Sequence, residues 1–210
     1  MDFSGVDFSG MNLRGATFMQ VNLSGADFTS ADLRGSMIFG DTSGAIYKNT
    51  VTSYGYISNI SMESDSDRII IQALDERTLS SSPNATIMSD ANMEAGTIEI
   101  RGGEKLEIAS GVVLEMSDQI KIVFDADSVG GVEDLLVLGE GAGVVMAGYE
   151  SDEAARAAFV NLFEDSDGNS VDWAPESVAN FVSAAVPEPS AWAAIFGAFA
   201  LAFAVCRKRS

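Results

Sequence analysis

The sequence predicts an all-β chain wound as a parallel coil, with one soluble helix late in the chain and an apolar C-terminal helix of membrane type. Three observations carry that expectation. Residues 2–36 repeat every five residues, residues 40–148 break into short alternating strands, and residues 191–206 are almost wholly apolar ahead of a basic terminus. With 210 residues and 47% hydrophobic content, the chain is long and apolar enough to bury a core.

The N-terminal repeat reads DFSGV, DFSGM, NLRGA, TFMQV, NLSGA, DFTSA and DLRGS, with no slip in register. Phe3, Phe8, Leu13, Phe18, Leu23, Phe28 and Leu33 hold the large apolar position. Val6, Met11, Ala16, Val21, Ala26 and Ala31 hold a second apolar position two residues before the next large one. A period of five fits neither a 3.6-residue helix nor a 2-residue strand, so the chain must turn a corner in every unit. The pattern resembles the pentapeptide-repeat family, and the resemblance implies a right-handed square β-helix with four units per turn. Residues twenty apart would then stack, Phe8 on Phe28 and Leu13 on Leu33, while Ser9, Arg14, Ser24 and Arg34 would point outward. Thirty-five residues make under two such turns, and a stack of nearest-neighbour contacts needs about three repeats with caps, so the coil must lean on the body C-terminal to it. Met1 sits in register at the position of Val6 and Met11, which predicts a longer precursor with further units and a secretory leader upstream.

Residues 41–150 form the expected body. AIYKNTV, RIIIQAL, ATIMSD, TIEIRG, KLEIAS, VVLEMS, QIKIVFDAD, LLVLGEG and GVVMAG alternate apolar with polar residues between Gly, Asn, Asp and Ser breaks. Ile98/Ile100, Leu106/Ile108, Val112/Leu114/Met116 and Ile120/Ile122/Phe124 each put one apolar row inward. Such strands suit a continuing parallel β-solenoid or an antiparallel sandwich. The repeat upstream, which needs an end to stack on, favours the solenoid, so the 1–40 coil is expected to continue into a less regular β-helix over 41–150. The segment ESDSDR at 63–68 reads as a solvated loop. Residues 151–163, SDEAARAAFVNLF, predict a helix with Ser151 as cap, Asp152 and Glu153 in the first turn, and Ala155, Phe159, Leu162 and Phe163 on one face. That helix and the exit segment, 151–185, would cap the open end.

The tail, 186–210, raises a different chemistry. At about 1.5 Å per residue, residues 191–206 reach roughly 24 Å, somewhat short of the ~30 Å hydrocarbon core. Trp192 at one end and Arg207, Lys208 and Arg209 at the other supply interfacial anchors, and the basic end belongs in the cytoplasm. Val186, Pro187, Glu188, Pro189 and Ser190, then an apolar helix and a basic cluster, resemble the PEP-CTERM sorting signal of Gram-negative bacteria. The resemblance implies an exosortase, a membrane cysteine protease, as partner, with processing at or near Pro-Glu-Pro during export.

Composition removes other functions. Lys+Arg number 12 against 31 Asp+Glu, a net charge of −19, which repels nucleic acid and anionic surfaces. The chain has no histidine and one cysteine, Cys206, which excludes His-activated nucleophiles, His-ligated zinc and an internal disulfide. Asp165, Asp167, Asn169 and Glu176 fall at calcium-loop positions, but glycine stands at position 4 and serine at position 6, so EDSDGN reads as an acidic turn. No cofactor, metal or catalytic residue is expected. The sequence thus predicts a non-catalytic exported surface or extracellular-matrix β-solenoid, held in the inner membrane with its body outside the cytoplasm and released to the surface after processing. Extracellular polysaccharide enters as a candidate partner. The alternatives are a β-helix polysaccharide lyase or hydrolase, which would need clustered Asp, Arg and Lys on one face, and an acidic pentapeptide-repeat DNA mimic, which would need the cytosol.

Overall fold

A computed structural model of the chain describes residues 1–73, 84–125 and 129–184. Its repeat corners have a local cause. The first residue of a unit accepts the amide two residues on: Ser4 N to Asp2 at 3.0 Å, Ser9 N to Asp7 at 2.8 Å, Ser24 N to Asn22 at 3.0 Å and Thr29 N to Asp27 at 2.8 Å. The fourth residue then turns left-handed, with φ near 65–70° at Gly5, Gly10, Gly15, Gly25 and Gly35. Glycine takes that conformation without steric cost. Gln20 and Ser30 adopt it at φ 53° and 59°.

These corners bring residues twenty apart into parallel register. Asp2 bridges Asn22, Asp7 bridges Asp27 and Asn12 bridges Asp32, while β1 (Thr17–Asn22) pairs with β2 (Met37–Asp41) from Thr17 opposite Met37. The Phe8 and Phe28 rings lie 5.2 Å apart and 9° from parallel. Phe18 meets both edge-on, at 5.9 and 6.4 Å. Phe18, Leu23, Phe28 and Leu33 are buried, and Phe3, Phe8 and Leu13, in the outermost turn, are half-buried against the same cluster. The stacking runs on past residue 40. Asp27 bridges Ile46, Asp32 bridges Val51, and Tyr47 lays its ring on Phe28 at 5.3 Å. One residue drops out of this later turn opposite the β1 bulge at Gln20. Gly40 faces Val21 there, and a Cβ would sit 2.1 Å from the Val21 carbonyl oxygen, so only glycine fits.

The body begins after a short antiparallel hairpin of β3 (Thr50–Val51) with β4 (Ile57–Ser58). Its other strand pairs are parallel and form three rows. One row is β5 (Met62–Ile71), β7 (Ala91–Ile100), β10 (Ile120–Phe124) and β13 (Phe163–Asp165). The second is β6 (Ala85–Ile87), β8 (Leu106–Ile108) and β11 (Leu136–Leu138). The third joins the start of β7 to β9 (Val113–Met116), β12 (Gly143–Met146) and β14 (Val182–Ser183). Parallel pairing rules out the antiparallel sandwich. In-register pairing stacks like on like: Ile69, Ile98 and Ile122 align with Phe163, and Met62, Met93, Met116 and Met146 form a second column. Each of these eight residues is at most 2% exposed.

Three segments differ from the sequence expectation. The helix expected over 151–163 stops at Val160, so Leu162 lies in the following turn and Phe163 opens β13 instead of completing a helical face. Residues 63–67 are not a free loop but an exposed bulge within β5, closed by the Asp67 carboxylate, which accepts the amides of Glu63 and Ser64 at 3.0 and 3.1 Å. Residues 171–185 do more than lead out, because Val182 and Ser183 pair with Val144 and Val145. Helix α1 (Asp152–Val160) lies within this last turn. Ser151 Oγ accepts the Ala154 amide at 3.2 Å, and Ala155, Ala158, Phe159 and Val160 pack into the body core. Asp152 accepts the Ala184 amide at 3.0 Å, tying the helix to the chain after β14. Trp173 closes this end on Phe124 and Phe163, at 5.5 and 5.0 Å.

Phe28 is fully buried and meets the rings of Phe8, Phe18 and Tyr47 at once. Phe28→Ala should therefore destabilise the fold by about 3–5 kcal/mol, whereas half-buried Phe8→Ala should cost less. Urea unfolding of both variants checks the order.

Candidate functional site

The sequence-derived processing signal, Val186, Pro187, Glu188, Pro189 and Ser190, lies outside the described residues, as do the anchors Trp192, Arg207, Lys208 and Arg209. No helix among the described residues is long and apolar enough to cross a membrane. Within the described residues, two places concentrate chemistry: a buried ion cluster and a tyrosine-lined groove.

The ion cluster corrects the outward placement of Arg14 and Arg34. The Arg34 side chain is 1% exposed and that of Arg14 is 7% exposed. Both arginines occupy the same place in units twenty residues apart, NLRGA and DLRGS, so stacking brings two cations together. Glu104, in the turn between β7 and β8, resolves the conflict. Its Oε1 accepts from Arg14 Nη1 at 2.5 Å and its Oε2 from Arg34 Nη1 at 2.6 Å. Asp32, fully buried, receives Arg34 Nε and Nη2 at 3.0 and 2.6 Å. The Gln72 carbonyl accepts from both arginines, at 2.6 and 3.1 Å, and the Gln72 amide donates to Asp32 at 3.3 Å. Desolvation works against the Arg34 charge, but the hydrogen bonds and charges of Asp32 and Glu104 outweigh it and hold the guanidinium above its ordinary pKa. Arg14 is less completely served: its Nε is buried and meets no hydrogen-bond partner among the described residues.

Further polar contacts extend this seam between the repeat and β5. Ser30 Oγ donates to the Arg68 carbonyl at 2.6 Å, Asn12 Nδ2 to the Ala73 carbonyl at 3.1 Å, and Lys48 Nζ to Asp67 at 2.5 Å. Burial pushes the Asp67 carboxyl up, but the Lys48 ammonium and the Glu63 and Ser64 donors dominate and hold it below its ordinary 3.8, at about 2. Asp165 needs no ion to be satisfied: it accepts the Asp167 and Asn169 amides at 3.0 and 2.7 Å, which makes its segment a turn.

The groove lies where the repeat gives way to the β3/β4 hairpin. It is an open groove of about 350 Å³, lined by the apolar Leu33 and Ile38, by Tyr47, Tyr54 and Tyr56, and by the polar Thr52, Ser53, Ser58 and Asn59. The Tyr54 and Tyr56 rings are 5° from parallel with centroids 6.5 Å apart, and Tyr54 is 79% exposed. Sequence reasoning singled out neither place. The twenty-residue spacing of Arg14 and Arg34 was the available signal for the cluster; the groove lies in turns that carry no periodic pattern.

Comparison with known proteins agrees with the repeat geometry. Residues 2–36, seven units, match the family model described as pentapeptide repeats (8 copies). Searches of curated proteins and of solved structures give no match. The N-terminal segment is thus an array of pentapeptide repeats.

Arg34→Met leaves Asp32 buried without its cation and should cost about 3–5 kcal/mol in urea unfolding; Arg34→Lys, with no planar fork, should recover only part of that. Asp67 has a depressed folded pKa, so its stabilising effect is present above 3.8 and is lost as pH falls towards about 2. Across that window the urea midpoint of Asp67→Asn should fall less than that of the unmodified protein.

Proposed function

We propose that the chain is a non-catalytic, exported β-solenoid of the cell surface or extracellular matrix, sorted through its C-terminal Pro-Glu-Pro segment by an exosortase-type protease. Pentapeptide repeats suggest a non-enzymatic repeat protein. The observation that carries the reading is the order of the parts. A body of stacked parallel strands is followed by Val186-Pro187-Glu188-Pro189-Ser190, an apolar run and Arg207, Lys208 and Arg209. The three strand rows are read as a right-handed solenoid whose last turn α1 closes, with the repeat coil set against the outward side of β5. Such an architecture presents long outward rows of polar side chains on a rigid frame, which serves adhesion or matrix assembly. The Pro-Glu-Pro sequence is the part a protease would read, and the apolar run would halt export with the basic end in the cytoplasm.

The test places the chain behind a secretory leader in a Gram-negative host that carries an exosortase. The body should be recovered outside the inner membrane, without residues 191–210 by intact mass, and replacing Pro187, Glu188 and Pro189 with alanine should hold the uncut chain in the inner-membrane fraction. Uncut protein from both sequences in the same fraction would refute the proposal.

A further inference from the structure

We infer that the tyrosine-lined groove at the repeat–body junction binds a neutral oligosaccharide. This adds a ligand class to the function proposed above, but it stands on different observations. The chain carries a net charge of −19, yet none of the described residues lining the groove is charged. A polyanion would be repelled by the protein as a whole, and a cation would find no carboxylate in that lining. What remains is an uncharged ligand with both apolar and hydroxylated faces.

The groove supplies a counterpart to each kind of face. Tyr54 and Tyr56 offer parallel rings, and at 79% and 43% exposure their surfaces are open to solvent. An exposed aromatic pair on a rigid frame keeps apolar area in water that a bound ligand would cover. The C–H face of a pyranose is flat and apolar and covers such a ring, while its equatorial hydroxyls reach outward to polar partners. Thr52, Ser53 and Asn59 provide hydroxyl and amide groups in the lining, beside the apolar Leu33 and Ile38. The site is held in place by its neighbours. Thr52 Oγ1 donates to the Tyr56 carbonyl at 2.9 Å, and Asn59 Nδ2 and Ser58 Oγ donate to the Tyr47 carbonyl at 3.2 and 3.1 Å. A groove fixed by such bonds loses little ordering entropy when a ligand enters.

The experiment is calorimetric titration of the purified full chain, kept in a detergent without sugar headgroups, with cellohexaose, xylohexaose and maltohexaose, and with hexagalacturonate as the charged counterpart. At least one neutral hexamer should bind with a Kd of about 0.1–1 mM, and hexagalacturonate should bind more weakly than that hexamer. Tyr54→Ala should weaken the interaction at least about tenfold, and Tyr54→Phe should retain it, since the ring and not the hydroxyl makes the stack. Because Tyr54 is a surface side chain, both variants should keep the thermal midpoint of the parent. The inference is overturned if none of the neutral hexamers binds, if Tyr54→Ala binds as tightly as the parent, or if hexagalacturonate binds as well as the best neutral probe. Export is read in cells and this binding on purified protein, so failure of one is distinguishable from failure of the other.

Discussion

Glu104 lies between two arginines that the repeat itself forces together. A coil whose units stack at twenty residues must superpose NLRGA on DLRGS, and with them Arg14 on Arg34. Left alone, two guanidinium groups in one poorly hydrated seam would drive the turns apart. The repeat contributes one counter-ion, Asp32, and the body contributes the other. One carboxylate spans both cations, and the Gln72 carbonyl serves both as well. The cluster is neutral overall, which is the condition under which ions tolerate burial. This seam is where the repeat and the body hold one another.

That seam also separates two apolar interiors among the described residues. The repeat cluster around Phe28 and the body cluster around the Ile and Met columns share no buried residue. In the repeat, partners sit at a nearly constant offset. In the body, Leu106 pairs with Ala85 on one side and Leu136 on the other, so loops of unequal length separate the strands of a row. The repeat meets the outward side of β5 through Ser30, Asn12, Arg14 and Arg34, and backbone carbonyls at Arg68, Gln72 and Ala73 accept what those side chains donate.

Much of this was legible in the sequence because stacking imposes repetition. Phe and Leu at every fifth position define the repeat interior, and the alternation around Ile98, Leu106, Leu114 and Ile122 defines the inward faces of the body strands. Direction failed where it depended on sequence-distant partners. Position within a unit tells which way Arg34 leaves its corner, but not that Gln72 and Glu104 cover that side. The bulge at residues 63–67 was hidden for a similar reason, since five polar residues in a row look like a loop whether or not a strand resumes its register beyond them. Val182 and Ser183 form a strand too short to leave a pattern, and it is recognisable only through its partner β12. The tyrosine groove depends on three turns converging, which no local periodicity records.

With two cations and two carboxylates shared across the seam, the Glu104 cluster should make the repeat and the body one cooperative unit. Native-state hydrogen exchange tests it most directly, by tracking the Phe28 and Leu33 amides, which bond to Ile46 and Val51 carbonyls, together with body amides such as Ile122, which bonds to Leu162. In the unmodified protein the two sets should open with a common free energy. In Glu104→Gln the repeat amides should exchange faster while the body amides keep their protection. If the repeat already opens independently in the unmodified protein, and Glu104→Gln leaves its exchange unchanged, the cluster does not join the two parts and the account is wrong.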